Sequence, residues 1–131
     1  MINSRQIAKG LGAWVDNEIL PMMRGPVKYG AGVAAALLVK QGETLLEKGK
    51  ENETVKALGL VRDGEYDIDV LKTAMLERFP EEGLRIEAEQ INGLLNQVLG
   101  KLGPILNIRM EGGITFHKSD VEKLYQYILG G

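Results

Sequence analysis

One hundred and thirty-one residues are enough for one domain with its own apolar core. Hydrophobic residues make up 44% and charged residues 26%, and sixteen basic against eighteen acidic side chains leave a net charge of −2, a balance that argues against a DNA or RNA binder. The chain has no cysteine and one histidine, His117, which excludes disulfides, thiolate nucleophiles, cysteine-based zinc sites and multi-histidine metal centres.

In chain order, the first helix is expected to start at Asn3 or Ser4, with Ile7, Leu11, Trp14, Val15 and Ile19 recurring at helical spacing. Pro21 and Gly25-Pro26 interrupt it. Pro26 suits the first turn of a second helix, running to about Lys48 and ended by Gly49. Its first half is rich in small residues, with Gly30 and Ala34, and Gly32 and Ala36, spaced four apart on one face. Two glycines weaken an exposed helix by ~1 kcal/mol each relative to alanine, so a close helix partner is expected here. The uncharged stretch Tyr29 to Val39 is about half the length needed to span a bilayer as a helix. It reads as a buried helix, and membrane contact is not expected. No targeting signal is visible, so the cytoplasm is the expected compartment.

Asn52 caps a short helix to about Leu60, and Arg62-Asp63-Gly64-Glu65 is a turn. Asp67 or Asp69 caps the next helix, whose stripe is Leu71, Ala74, Met75 and Phe79, and Pro80 ends it. Leu84 to Glu87 alternates like a short strand. Ile91, Leu94, Leu95, Val98, Leu99 and Leu102 mark a strongly amphipathic helix closed by Gly103-Pro104. Ile108 and Met110 on one side of Gly112-Gly113, and Ile114 and Phe116 on the other, predict a two-residue hairpin. Its register would place Arg109, Thr115 and His117 on one face. Ser119 and Glu122 fit a capping box for a last helix burying Val121, Leu124, Tyr125, Ile128 and Leu129.

The expected fold is therefore α+β and mostly helical, with about five or six helices and a small antiparallel C-terminal hairpin or sheet. Residues 1–131 form one domain, in which 1–50 would be a helical arm or oligomerisation hairpin and 51–131 the α+β body. Charge is distributed unevenly, which reads as ordinary solvated faces, as a homo-oligomer whose basic N-terminal part meets the acidic middle of a neighbour, or as a basic pocket for an anion. Residues 1–50 carry net +3, residues 51–100 net −6 and the last 31 net +1.

No complete catalytic signature is present, and the chain reads as a non-enzyme without cofactor or metal. His117 has Ser119 and Asp120 as sequence neighbours, but a capping role accounts for Ser119. The pairs Asp67/Asp69 and Glu81/Glu82 fit helix starts, where carboxylates favour the dipole. Anion binding is better provided for. Arg24, Lys28 and Tyr29 place two cations and a ring around the start of the second helix. Arg109, His117 and Lys118 form a second basic group, expected to close over the first from a partner subunit. Trp14 reads as core on the apolar stripe of the first helix. The small-residue helix and the apolar helix at 91–102 together predict a homo-oligomer, most simply a dimer.

Two segments, Val55 to Asp69 (VKALGLVRDGEYDID) and Gly113 to Ile128 (GITFHKSDVEKLYQYI), resemble small uncharacterised phage and prophage proteins of Gram-positive bacteria. That resemblance implies a phage origin and a host bacterial cytoplasm, and carries no site residues across. Under it, the favoured expectation is a homo-oligomeric anti-defence sponge that sequesters a cyclic nucleotide or ADP-ribose-type signal. The alternative is a virion-assembly or tail-accessory protein working through protein contacts. A membrane-surface helper rests on the helix after Pro26 alone.

Overall fold

The structure, a computed structural model, describes residues 2–25 and 27–130; the side chains of 27–32 and 34 stand outside the description. The described chain is α+β and mostly helical, with seven α-helices and two small antiparallel sheets.

Helix α1 (Ser4–Trp14) begins at Asn3, whose side chain accepts a hydrogen bond from the Gln6 N–H at 2.8 Å. The stripe continues past Trp14 in a wider form, a π-helical turn (Val15–Ile19) followed by a 3₁₀ turn (Leu20–Met22). Pro21 explains the change: it has no N–H for the carbonyl of Asn17, and its ring crowds that carbonyl. Helix α2 (Val27–Gly49) packs on α1 and on α5 (Ala88–Leu99). A Cβ on Gly12 would strike Val39, so this glycine of α1 lets α2 lie close, whereas Gly30, Gly32 and Ala34 of α2, expected at a close helix contact, lie outside the described side chains.

Asn52 caps α3 (Glu53–Ala57) by accepting from the N–H groups of Thr54 and Val55. The turn that follows is a complete hairpin. Strands β1 (Val61–Arg62) and β2 (Glu65–Tyr66) pair across Asp63 and Gly64, which have φ of 54° and 76°. Asp67, not Asp69, caps α4 (Ile68–Arg78), and Phe79 ends it ahead of Pro80.

The C-terminal half departs from the sequence reading in three places, besides Leu129, which was expected on the buried face of the last helix and is 58% exposed. Helix α5 stops at Gly100, and Gly103-Pro104 lies inside a further helix, α6 (Leu102–Leu106), instead of closing the first. Pro104 is tolerated because the first-turn N–H groups of a helix have no internal acceptor. The Gly112-Gly113 hairpin does not form. Strand β4 (Ile114–Phe116) pairs with β3 (Leu84–Ile86), in the register Leu84↔Phe116, Arg85↔Thr115 and Ile86↔Ile114. Arg109, Thr115 and His117 consequently do not share one sheet face. Both glycines do take positive φ, 78° and 71°, and a Cβ on Gly113 would lie 2.7 Å from the Ile86 carbonyl oxygen. They turn the chain so that β4 can lie along β3. Finally, α7 (Lys118–Gly130) is capped at His117, two residues before Ser119. The Asp120 carboxylate reaches back to the His117 N–H at 2.8 Å, because the chain enters the helix directly from β4.

Among the described residues, two apolar clusters make the core. One joins Ile19, Leu20 and Met23 to Leu95, Leu99, Ile108, Met110 and Ile114. The other joins Ile2 and Ile7 to Tyr66, Ile68, Val121, Tyr125 and Ile128. Residues 1–50 and 51–131 both contribute to each. Among the described residues, no helix is long and apolar enough to cross a membrane.

Candidate functional site

Arg24 and Arg109 lie 85 positions apart in sequence and meet as an isolated antiparallel pair within one chain. The Arg24 N–H donates to the Arg109 carbonyl at 2.8 Å and the Arg109 N–H donates back at 3.2 Å. Directly opposed residues of an antiparallel pair project to one face, so the bridge delivers two guanidinium groups side by side. Both are open to solvent, their side chains 70% and 58% exposed.

Three features hold this arrangement. Gly25 has φ of +106°, and a Cβ there would run into the Asn107 carbonyl oxygen and lie 3.2 Å from the Ile108 Cα. Glycine is therefore what allows the 24–25 segment to reach the 107–109 segment. Asn107 ends α6 in a left-handed conformation and turns the chain toward the bridge. Asn92, projecting from α5, pairs with the backbone of Met110: its Oδ1 accepts from the Met110 N–H at 2.7 Å and its Nδ2 donates to the carbonyl at 3.0 Å. An asparagine amide thus acts as a one-residue strand, satisfying polar groups of a residue that is 2% exposed.

Glu111 sits between the two cations. Its carboxylate lies 3.1 Å from Nε of Arg24 and 3.9 Å from Nε of Arg109. Two positive charges and one negative leave an excess of one, and each guanidinium has donors beyond Nε. Such a pair suits a phosphate or carboxylate held by forked hydrogen bonds.

The sequence-derived site is brought together in part. Arg24 and Arg109 converge, but in one chain and not across a subunit boundary. Lys28 and Tyr29, a few residues beyond Gly25, lie outside the described side chains. His117 and Lys118 belong to another place, the start of α7. There a Cβ on Gly83 would meet the His117 ring at 2.9 Å, which seats the histidine against the β3 end. Glu111, Asn92 and Gly25 were not singled out from sequence. Glu111 alone left a readable signal, standing two residues from Arg109 on what would be the same strand face.

Away from this site, two electrostatic contacts tie elements of the fold together. Asp67 is held below the usual carboxylate range by the Arg62 guanidinium and by the helix N–H groups it caps. Glu18 is lowered by hydrogen bonds from Lys123 and Tyr127, which join the π turn to α7. Among the described residues, no group of three or more His, Asp or Glu is placed to hold a metal ion.

Set against family models, curated proteins and solved structures, the chain finds no match.

Proposed function

We propose that the chain is a non-catalytic binding protein that holds a phosphate-bearing ligand on Arg24 and Arg109, acting as a phage anti-defence sponge for a cyclic nucleotide or ADP-ribose-type signal. The observation that carries this reading is the backbone bridge that sets two exposed guanidinium groups on one face with a single carboxylate between them. A charge-assisted pair of that kind recognises an anion without any catalytic group. Lys28 and Tyr29 follow within five residues of Arg24 in sequence and would supply a further cation and a stacking ring. The second reading, a virion-assembly or tail-accessory protein, has its own support. Leu94 is 60% exposed and Ile105 75% exposed on the consecutive helices α5 and α6, an apolar surface suited to another protein or another copy.

A thermal-shift panel of cyclic dinucleotides, cyclic trinucleotides and cyclic ADP-ribose isomers separates the two. A hit should weaken by ~1.5–3 kcal/mol in Arg24→Ala or Arg109→Ala, the worth of a charged hydrogen bond. Lys56→Ala, in exposed α3, is the control. Silence across the panel, with light scattering showing self-association abolished by Ile105→Asp, favours assembly.

A further inference from the structure

The chain contains one tryptophan and two phenylalanines, and all three line the same cavity. Large aromatic side chains normally carry the most burial energy in a core. Here Trp14, Phe79 and Phe116 are each half-buried, while the buried clusters are built from aliphatic, methionine and tyrosine side chains. The cavity lies where the two clusters adjoin, between α1, α4, β3, β4 and α7. Its volume is about 240 Å³, and Met75, Leu84 and Leu124 complete its wall. Trp14 and Phe116 stand 5.6 Å apart with their planes tilted by 41°. Met75 is fixed by the Tyr125 hydroxyl, which donates to its sulfur at 3.3 Å. The wall presents apolar atoms only. Asp120 borders it, but its carboxylate is engaged at the helix cap by the His117 N–H.

We propose that this cavity is a binding site for a small, neutral aromatic molecule of one or two rings. Neutrality follows from the wall, which offers nothing to replace the water around a charge. Aromatic character follows from three rings and a thioether, which favour a further ring by edge-to-face and sulfur contacts over a plain alkyl chain. Size follows from volume: a dry apolar cavity of about 150 Å³ takes benzene, so this one has room for a substituted ring or two fused rings. None of its lining residues belongs to the arginine pair, so this site stands or falls independently of the proposed anion site.

The probes are p-xylene and n-butylbenzene, read by calorimetry and by the emission of Trp14, excited where alkylbenzenes do not absorb. Saturable one-to-one uptake with a shift in Trp14 emission is expected, and benzoate should not bind. Leu84, exposed at the rim, gives the test its specificity. Leu84→Phe fills the cavity from outside the core and should weaken uptake about tenfold or more, a loss of ~1.4 kcal/mol. Leu84→Ala, which opens the rim, should retain it, and circular dichroism confirms that both variants fold. The proposal is overturned by no saturable uptake of either probe, by uptake that Leu84→Phe leaves unchanged, or by benzoate binding equally well. Trp14 emission that moves with protein concentration and not with probe also overturns it, and assigns the cavity to a second copy.

Discussion

Replacing Gly10 by alanine should destabilise the protein, although alanine is the better helix former by ~1 kcal/mol. Gly10 lies where α1 crosses α7. An added Cβ would meet Ile128 at its Cα, at 2.6 Å from Cγ1 and at 2.8 Å from the backbone nitrogen. Carbon atoms pack best at about 3.5–4.0 Å, so α7 would have to retreat by about 1 Å. Rotating a side chain does not relieve the contact, since two of the three atoms are backbone. Overpacking therefore costs about 2–3 kcal/mol, the upper part of its usual range. The net loss is about 1–2 kcal/mol, or ~3–10 °C in melting temperature for a domain of this size. Gly93→Ala supplies the opposite sign: Gly93 is mid-helix in α5, and its Cβ would meet nothing within 4 Å. That variant should gain ~0.5–1 kcal/mol. Thermal and urea melts followed by circular dichroism compare the two. If Gly10→Ala matches or exceeds the wild type, α1 and α7 are not in the close contact described.

Asn92→Ala should cost ~1–3 kcal/mol by leaving the Met110 backbone without partners, and should weaken any anion bound at Arg24 and Arg109; melts and titration read the two effects separately. Glu111→Gln raises the local charge excess from one to two and should tighten anion binding, most visibly at low salt; unchanged affinity would place the anion elsewhere. Burial pushes the Tyr125 hydroxyl up to about 12, so the fold keeps it protonated beyond the point where the unfolded chain loses its proton. The stability from that shift is complete below pH ~10 and fades as pH rises toward ~12, by about 2–3 kcal/mol, a loss that Tyr125→Phe should abolish in alkaline melts. Changing Gly112 and Gly113 together to valine should cost about 3 kcal/mol or more, through positive φ and the clash with β3; unaltered melting would show that β4 does not depend on that turn.

Helix positions were legible because their signals are local. Asn3, Asn52 and Asp67 mark starts with a side-chain acceptor, and Pro80 stands at an end, whatever else the chain does; the stop at Gly100 was missed because Leu102 continues the apolar spacing past it. The partner of β4 was not legible. Gly112-Gly113 has the letters of a hairpin, and only the competition between Ile108–Met110 and Leu84–Ile86 decides the pairing. The first segment is occupied on both sides, by Arg24 and by Asn92, which leaves β4 to the second. The same cause divides the candidate site. Arg24 and Arg109 were singled out from sequence as cations, but their meeting depends on Gly25 and on a carboxamide from α5, residues that carry no charge signal. Trp14 was expected in the core, and its helical spacing does face inward. What spacing does not reveal is that the space it faces is not filled.

The cluster around Ile2 and Ile7 has a bearing on how the chain reaches its native state. Tyr66 and Ile68 join it about 60 residues later, and Val121, Tyr125 and Ile128 only about 120 residues later. Closing so long a loop is entropically unfavourable before its contacts form, which makes this cluster a late event in folding. At a synthesis rate of about 5–20 residues per second, α1 would wait roughly 6–24 s for α7 to be made. During that interval Tyr66 and Ile68 can complete only part of the cluster around Ile7, and the bare backbone around Gly10 lacks Ile128, its partner on α7. A nascent chain of this protein is therefore most exposed to aggregation and to chaperones along α1, and variants in α7 should lower its yield in cells more than their effect on the finished fold would imply.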